Sequence, residues 1–258
     1  MLWLKIVMVL AVAYFIGAIP FGYIFVKIKT GRDVRQIQSG RTGTTNAMRA
    51  AGVWVGIATV VMDILKGVVA VWLAREIFPT LPWVHVAAPL AMIVGHNYSL
   101  VMVEHNEKGK PVLKGGAGGA PSVGGAIGLW WPVALIQIPV GAVILLGVGY
   151  ASVATMSMPL IAAAVFAWRA AHGLGPWVYV AYGLLAEVLL VYSLRPNIKR
   201  LLAGEERVVG LRVWLAKRKA RREARRTQPP TTAKAVPDDE TPQTSTAPRR
   251  HAPTGGAH

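Results

Sequence analysis

Six long apolar runs constrain this chain more than any other feature of its sequence. About 20 such residues are needed to cross a bilayer as a helix, and these runs are close to that length or exceed it. Only 16% of the 258 residues are charged, whereas about a quarter are charged in an ordinary soluble domain. The sequence therefore predicts an all-α integral membrane protein, with apolar runs at 3–26, 53–74, 84–104, 121–150, 153–171 and 176–194.

Lysine and arginine residues indicate which loops face the cytoplasm. They place Lys27–Arg49, Lys108–Lys114 and the basic carboxyl end from Arg195 on the inner side. The first run could be mistaken for a signal peptide, but Lys5 is the only positive charge at its start, and its apolar character continues beyond the usual length of a signal peptide. We therefore expect this segment to be retained as a helix. The amino terminus is then outside and the carboxyl terminus inside, which requires an odd number of crossings.

Six runs cannot give an odd number, so one of them must be divided or must fail to cross. The run at 121–150 contains Pro132 and Pro139, which favour two short helices. The prediction is therefore seven transmembrane helices. The alternative is five, with 153–171 forming a re-entrant segment.

The chain changes character near its carboxyl end. Residues 1–206 form the predicted membrane domain. Residues 207–226 are basic and partly amphipathic, as in a segment that lies on anionic lipid headgroups, although a solvated helix that only enforces the topology would have the same composition. Residues 227–258 are rich in Pro, Thr and Ala and are expected to be disordered. Because the net charge of +16 is concentrated in this tail and the inner loops, it indicates membrane lipids and no nucleic-acid partner.

Three polar stretches fall on the predicted inner side, and one site can be assembled from SGRTGTTNAMR, GHNYSLVMVEHNEKGKPVLKGGAGGAPS and LRPNIKRLLAGEE. In the first, glycines let backbone N–H groups approach an anion, and Arg41 and Arg49 can bind phosphate oxygens with two hydrogen bonds each. In the second, Lys114–Ser122 resembles a phosphate cradle but lacks the G-x-x-x-x-G-K-[ST] pattern of nucleotide hydrolases. The alternatives are a plain turn and a flexible helix connection.

Titratable residues within membrane spans are candidates for function, because they are costly to bury. His96 is either such a functional group or a histidine hydrogen-bonded for packing. Asp63 and Lys66 lie three residues apart on one helix face and should form an ion pair, for which a structural role is expected ahead of a catalytic one. Glu187 has no obvious cation nearby and is interpreted as a packing or cavity residue.

Several other chemistries have no signature in the sequence. The chain has no cysteine, which excludes a thiolate nucleophile and cysteine-ligated metals. It has no H-E-x-x-H, no G-x-S-x-G and no cluster of acidic residues, so metal-dependent hydrolysis and a serine nucleophile elbow lack support. A site that binds phosphate groups without a metal or cofactor is what remains.

From GAIPFGYI to about Glu206 the chain resembles the bacterial membrane glycerol-3-phosphate acyltransferases that use acyl phosphate as donor, the PlsY family. The shared elements are S-G-x-x-G-x-T-N with an arginine ten residues after the serine, D-x-x-K-G, G-H-x-[FY]-[PS], K-G-G and R-x-N-I-x-R-L-x-x-G-x-E. The matching residues are Ser39, Gly40, Gly43, Thr45, Asn46, Arg49, Asp63, Lys66, Gly67, Gly95, His96, Tyr98, Ser99, Lys114, Gly115, Gly116, Arg195, Asn197, Ile198, Arg200, Leu201, Gly204 and Glu206.

The resemblance implies a seven-helix enzyme of the cell inner membrane with its active site on the cytoplasmic face. It implies transfer of an acyl group from acyl phosphate to the sn-1 hydroxyl of glycerol 3-phosphate, which releases inorganic phosphate in the first step of phospholipid biosynthesis. No cofactor is required, because an acyl phosphate is already an activated anhydride. The expected partners are these two substrates and membrane lipids, and the protein is expected to be a monomer.

The resemblance also implies roles for the matching residues. The catalytic group comprises Ser39, Asn46, His96 and Asn197, in which Ser39 anchors a phosphate and the two asparagines orient the glycerol hydroxyl. His96 is the available general base, unless a substrate phosphate oxygen takes the proton and His96 only positions the substrate. The expected phosphate ligands are Arg41, Gly43, Thr45, Arg49, Lys114, Gly115, Gly116 and Arg195.

The chain departs from the family pattern in four places. It has Arg41 where the family has Asn, Ala117 where the family has Lys, Leu194 where the family has His, and it inserts NEKGKPVLK before the glycine loop. Arg41, Lys110 or Lys114 are candidates to replace the lost lysine charge. Two other functions stay open at this stage: an anion or lipid transporter, which buried charges and broken helices would also suit, and a catalytically impaired homologue.

Overall fold

The structure, a computed structural model, describes residues 1–105 and 108–208 together with Arg218 and Ala220. Its helices are α1 (Leu2–Ala18), α2 (Phe21–Thr30), α3 (Thr44–Ala51), α4 (Val53–Ile77), α5 (Pro82–Asn97), α6 (Gly119–Leu129), α7 (Ala134–Val148), α8 (Ala151–Ala171) and α9 (Val178–Leu202). Two short 3-10 helices cover Val34–Gln36 and Trp131–Val133, and strands β1 (Val103–His105) and β2 (Pro111–Leu113) form an antiparallel pair.

The contacts within the chain divide it into Met1–Ala216 and Lys217–His258. The predicted surface segment 207–226 lies outside the described residues, except for Arg207, Val208, Arg218 and Ala220. The predicted disordered tail 227–258 lies wholly outside them.

Five helical segments of the described chain are long and apolar enough to cross a bilayer: Leu2–Thr30, Val53–Ile77, Trp131–Val148, Ala151–Ala171 and Val178–Leu202. The predicted helical membrane protein is confirmed. The small β1–β2 pair, in which β1 precedes the inserted segment and β2 lies within it, is a departure from all-α structure. With 16 and 11 residues, α5 and α6 are too short at 1.5 Å per residue to span about 30 Å of hydrocarbon. The re-entrant alternative for 153–171 is not favoured, because α8 is one continuous helix of 21 residues and is long and apolar enough to cross.

The apolar run at 121–150 divides at Pro132, as predicted. One helix ends at Leu129 and the next begins at Ala134, whereas Pro139 lies inside α7 without interrupting it. An interruption that was not predicted separates α1 from α2 at Pro20. Proline disfavours helical backbone in the residue before it, and Ile19 accordingly has φ −63° and ψ 117°.

The interruption at Pro20 leaves backbone carbonyls without helical partners. Such groups must be satisfied within the protein at membrane depth, because lipid cannot hydrogen-bond to them. Lys66 Nζ donates to Gly17 O at 3.1 Å and to Ile19 O at 2.7 Å, and Ser99 Oγ donates to the Ala18 carbonyl at 2.7 Å. The interruption is therefore the place where α1, α4 and the end of α5 are joined.

Glycines allow the central helices to approach each other backbone to backbone. A Cβ on Gly124 of α6 would lie 2.0 Å from Ile64 O of α4, and a Cβ on Gly17 of α1 would lie 2.0 Å from Met92 O of α5. Small residues give close packing in membranes, where apolar side chains gain little by leaving lipid. The pairs α4–α6 and α1–α5 consequently form the centre of the bundle.

Contacts between helix ends show which ends lie together. The rings of Trp3 and Trp83, at the starts of α1 and α5, have centroids 6.1 Å apart. His85 Nδ1 lies 3.2 Å from the Tyr179 hydroxyl at the start of α9, and the Tyr179 ring lies 5.9 Å from that of Phe166, near the end of α8. The starts of α1, α5 and α9 and the end of α8 therefore share one end of the bundle.

The ends of α4 and α6 lie against each other, since Arg75 Nη1 donates to Gly128 O at 3.1 Å. Arg169, near the end of α8, lies 3.9 Å from the centre of the Trp130 ring, which follows α6 directly. The ends of α4 and α6 therefore share one end of the bundle with the end of α8 and the starts of α1, α5 and α9. Helices α4 to α9 thus alternate in direction. This end, called the tryptophan end below, carries Trp3, Trp72, Trp83, Trp130, Trp131, Trp168 and Trp177.

Candidate active site

A cavity of about 330 Å³ opens at the end of the bundle opposite the tryptophan end. Its walls come from the loop before α3, the starts of α6 and α8, the end of α9 and the residues that follow it. The structure thus brings the three polar stretches together. The predicted site residues that line the cavity are Ser39, Arg41, Gly43, Thr45, Asn46, Arg49, Asp63, His96 and Asn197.

Three helices begin at this cavity, with Gly43, Gly118 and Tyr150 as the residues before their first turns. Within the described residues, none of the three has a side chain hydrogen-bonded to its first turn as a cap. The first N–H groups of a helix have no partner inside it and carry the positive end of the helix dipole. Three uncapped termini around one cavity therefore favour the binding of anions.

Four arginines line the same cavity: Arg41, Arg49, Arg200 and Arg207. In the part of the chain that the structure describes, no carboxylate lies within 4.0 Å of any of them. Burial lowers the pKa of the Arg41 and Arg49 guanidinium groups. Arginine stays charged at neutral pH, and desolvation is the largest cause of both shifts, so the hydration lost on burial is not fully replaced around the positive charge. A bound anion would compensate it.

Arg41 is held between the glycine loop and α9. Its Nη1 donates to Gly116 O at 3.1 Å and to Ser193 Oγ at 3.0 Å, and its Nη2 donates to the Ser193 carbonyl. Gly116 precedes Ala117, and Ser193 precedes Leu194. The three single-residue departures from the PlsY pattern are therefore neighbours in space.

His96 belongs to a buried polar cluster with Asp63 and Lys66. Lys66 Nζ lies 2.9 Å from Asp63 Oδ1 and 3.3 Å from His96 Nδ1, and no side chain of the three is more than 6% exposed. Lys66 Nζ also lies within 3.1 Å of Gly17 O, Ile19 O and Asp63 Oδ1, so its three protons are shared among four acceptors, of which His96 Nδ1 is the most distant. Nε2 faces the glycine loop, where a Cβ on Gly116 would lie 2.0 Å away from it.

Asn46, predicted to orient a hydroxyl, uses its amide to fold the loop. Its Nδ2 donates to the carbonyls of Val34, Ile37 and Arg41, each at 2.9 Å, and the residue is 2% exposed. Its Nδ2 is therefore not available to a substrate. Only Oδ1, which has no hydrogen-bond donor among the described residues, is left for that role.

Four predicted phosphate ligands do not line the cavity: Lys114, Gly115, Gly116 and Arg195. Lys114 Nζ instead lies 3.3 Å from a carboxylate oxygen of Glu104, because β2 of the inserted segment pairs with β1 and brings the two together. The Arg195 guanidinium stacks 3.5 Å from the centre of the Tyr192 ring on an exposed side of α9.

The glycines Gly115 and Gly116 pack directly against α5. Gly116 N donates to His96 O at 2.9 Å, and Gly115 O accepts from Thr42 N at 3.2 Å. The Gly116 amide is therefore occupied, and these two residues hold His96 and the Ser39 loop together. This arrangement does not support the predicted phosphate contacts of Lys114, Gly115, Gly116 and Arg195.

Known proteins match this chain over nearly all of its membrane domain. The family model for glycerol-3-phosphate acyltransferase matches residues 7–204. The chain belongs to the glycerol-3-phosphate acyltransferase family. It is accordingly an acyltransferase, and the transporter alternative is wrong.

Two relatives illustrate the extent of the likeness. The glycerol-3-phosphate acyltransferase of Gloeobacter violaceus is 34% identical over 209 residues, which cover 78% of this chain and 93% of that protein. Glycerol-3-phosphate acyltransferase 2 of Moorella thermoacetica is 34% identical over 212 residues, or 82% of this chain and all of that protein (100%).

Crystal structures of PlsY, an integral membrane glycerol 3-phosphate acyltransferase, are also similar. The glycerol 3-phosphate form superposes with a TM-score of 0.69 and 31% identity, covering 82% of this chain and 98% of the other. The lysophosphatidic acid form gives a TM-score of 0.66 and 30% identity. The membrane fold of this acyltransferase is thus shared with a solved relative.

Several cavity residues were missed from the sequence. Arg200 stands in the R-x-N-I-x-R element and could have been selected on that signal. Ser152 and Thr155 line the cavity from the first turn of α8, and Ser152 is 2% exposed with no hydrogen-bond partner for Oγ among the described residues. Nothing in the sequence distinguishes the start of α8 from an ordinary membrane helix.

We predict that Gly116→Ala lowers turnover by at least about tenfold, because its Cβ would displace His96 from the cavity. The overpacking should also destabilise the fold by about 1–3 kcal/mol. Phosphate release and thermal unfolding in detergent measure the two effects. Gly147→Ala in α7, whose Cβ would meet nothing within 4 Å, is the matched control. Normal turnover by Gly116→Ala would show that the position of His96 is unimportant.

Proposed function

We propose that this acyltransferase transfers an acyl group from an acyl phosphate to the sn-1 hydroxyl of glycerol 3-phosphate. The products are 1-acyl-glycerol 3-phosphate and inorganic phosphate, at the first step of phospholipid biosynthesis. The observation that carries the proposal is the convergence of three helix N-termini and four arginines on the cavity that His96 lines. Both substrates carry phosphate groups, and each needs such an anion site.

An acyl phosphate suits this cavity because it is already a reactive mixed anhydride. The glycerol hydroxyl attacks the acyl carbonyl carbon, the new C–O ester bond forms, and the bond to the phosphate oxygen breaks. Holding two anions together and stabilising the developing charge is most of what catalysis requires here. The chemistry therefore calls for no metal, cofactor or covalent intermediate.

We assign the phosphate groups to the start of α3 and its surroundings. Ser39 and Arg49 anchor one phosphate, and Gly43 and Thr45 offer the uncapped first turn of α3 to it. Arg41 offsets the second phosphate from the opposite wall. Each of these contacts places a hydrogen-bond donor or a positive charge beside the phosphate and replaces the water that the phosphate loses when it binds.

The proton of the attacking hydroxyl has two possible acceptors, His96 and a phosphate oxygen. His96 Nδ1 lies 3.3 Å from Lys66 Nζ, and Nε2 is the nitrogen that faces the glycine loop. An ammonium group this close disfavours a second positive charge on the imidazole, which makes His96 a poor proton acceptor. We therefore favour the departing phosphate as the base, with His96 orienting the substrates and Asn197 the hydroxyl, while Asp63 and Lys66 form a structural pair.

We also propose seven crossings, with the amino terminus outside and the active site on the cytoplasmic face. The alternating directions of α4 to α9 support this count, with α1–α2 as one pass. The helices α5 and α6 are too short to span the hydrocarbon by themselves, so we propose that the adjoining non-helical residues complete these two passes. Tryptophans concentrate at membrane interfaces and basic residues at the inner side. The tryptophan end is then outside, and Lys27, Lys29, Arg32 and Arg35 are inside. A monomer suffices, since residues of one chain line the cavity.

The proposal is tested by assaying purified protein for phosphate release from palmitoyl phosphate. We expect release that requires glycerol 3-phosphate and yields one acyl-glycerol phosphate for each phosphate freed. Arg49→Ala should abolish it without unfolding the protein, because α3 lies at the cavity and Arg49 makes no core contact. Release that is independent of glycerol 3-phosphate would indicate a hydrolase, and absence of release an impaired homologue.

For topology, single cysteines are informative because the chain has none of its own. We predict that Arg32→Cys, in the exposed loop after α2, reacts with a membrane-impermeant maleimide only in inside-out vesicles. Leu174→Cys, 51% exposed between α8 and α9, should react only in right-side-out vesicles. The opposite pattern would invert the protein, and labelling of both residues from one side would contradict an odd number of crossings between them.

Arg41 tests how the enzyme functions with Ala117 where the family has lysine. We predict that Arg41→Asn lowers turnover by about tenfold or more, since a charge beside the phosphate is lost. The double variant Arg41→Asn with Ala117→Lys should recover much of the activity, because contacting residues are energetically coupled. Ala117→Lys alone is the control and should bring no gain. A double variant as inactive as Arg41→Asn would refute the compensation.

A further inference from the structure

The chain turns back over the cavity directly after α9. Gly204 has φ 72°, in the left-handed region that glycine adopts easily. The amides of Glu205 and Glu206 then donate to Arg200 O at 2.8 Å and 3.1 Å. Val208 finally pairs with Tyr150, at the turn between α7 and α8, in an antiparallel bridge. We call residues 204–208 the strap.

The strap carries Arg207 to the loop on the other side of the opening. Its Nη1 donates to Gln38 Oε1, and both residues are exposed and line the cavity. Gln38 has φ 46°, a left-handed conformation that is unfavourable for residues other than glycine. Strained residues of this kind concentrate at ligand sites, where the surrounding structure maintains them.

Arg207 and Arg49 act on the same volume of the cavity. After burial, the positive charge of Arg207 is the next cause that lowers the pKa of Arg49, and Glu206 only partly opposes it. Glu206 Oε1 is in turn hydrogen-bonded by Asn197 at 3.1 Å. Glu205 and Glu206 also line the cavity, but among the described residues neither carboxylate lies within 4.0 Å of Arg49 or Arg207, so a bound dianion would stabilise the two like charges.

We propose that Arg207 is a second ligand of the glycerol 3-phosphate phosphate, acting opposite Arg49 at the aqueous opening, with Gln38 holding it in position. The inference rests on the proposed function. We assign it to the acceptor because Arg207 is exposed where a water-soluble substrate enters. The acyl donor is instead anchored in the bilayer by its chain. The Gln38 side-chain oxygen is a neutral acceptor, so a phosphate anion binds the Arg207 guanidinium more strongly and can replace that oxygen at Nη1.

The test compares Arg207→Ala and Arg207→Lys with the wild-type enzyme. We expect Arg207→Ala to raise the KM for glycerol 3-phosphate by about tenfold or more, as one charged hydrogen bond is lost. The KM for palmitoyl phosphate and the kcat should stay within about twofold, a division that a merely structural role would not produce. Arg207→Lys should recover part of the loss, because it keeps the charge but not the guanidinium fork.

Two further variants sharpen the comparison. Arg32→Ala removes an exposed arginine at the same end of the bundle but outside the cavity, and its KM values should match the wild type. Gln38→Ala should raise the KM for glycerol 3-phosphate by less than Arg207→Ala. The double variant Gln38→Ala with Arg207→Ala should be no worse than Arg207→Ala alone, because the two residues act together.

The possible results separate this inference from the proposed function. An unchanged KM for glycerol 3-phosphate in an active Arg207→Ala enzyme overturns the inference alone. A raised KM for palmitoyl phosphate would assign Arg207 to the donor and also overturn it. If the wild type transfers no acyl group, the proposed function fails. The role of Arg207 is then decided by calorimetry, which measures the binding of glycerol 3-phosphate to the wild type and to Arg207→Ala. Equal binding, or none by the wild type, refutes it.

Discussion

The buried ammonium group of Lys66 is the interaction on which the rest of this structure depends. It donates to the carbonyls freed between α1 and α2, lies 2.9 Å from Asp63 and contacts His96. Removing one partner of such a buried pair typically costs about 3–5 kcal/mol, because the remaining charge is left uncompensated. One side chain therefore stabilises the interruption of the first helix, the ion pair on α4 and the position of the histidine on α5.

The site follows from where helices begin. Three helices start at one cavity with glycine or tyrosine at their caps, and the described residues supply no capping side chain. Capping would add about 1 kcal/mol of stability to a helix, so leaving these termini open favours ligand binding over stability. The four arginines add positive charge at the same cavity and favour the binding of an anion further. A cavity built in this way is suited to phosphate groups, because its fixed dipoles and charges need little rearrangement when an anion arrives.

The departures from the family pattern are explained by their contacts. Arg41 occupies the space between the glycine loop and α9, and it hydrogen-bonds to residues adjacent to Ala117 and Leu194. The inserted segment has a separate consequence. It supplies β2, which pairs with β1, and Glu104 of β1 lies 3.3 Å from both Arg35 and Lys114. Lys114 is thereby directed to a carboxylate instead of the cavity, although the sequence made it a reasonable phosphate ligand.

Much of the fold and part of the site could be predicted from the sequence by itself. The apolar runs determined the membrane helices, Pro132 determined where the long run divides, and the three-residue spacing brought Asp63 beside Lys66. The polar stretches indicated an anion site because such residues are costly inside a membrane unless they are used. These inferences rest on local periodicity and composition, which act over one or two turns of helix.

Only the tertiary structure decided which polar groups face the cavity. Asn46 donates its amide to the loop backbone, Arg195 stacks on Tyr192, and Arg207 reaches across to Gln38. Ser152 joins the site although its sequence surroundings are those of any membrane helix. The direction of a side chain and the partner it finds depend on segments distant in the sequence, so spacing within one segment cannot determine them.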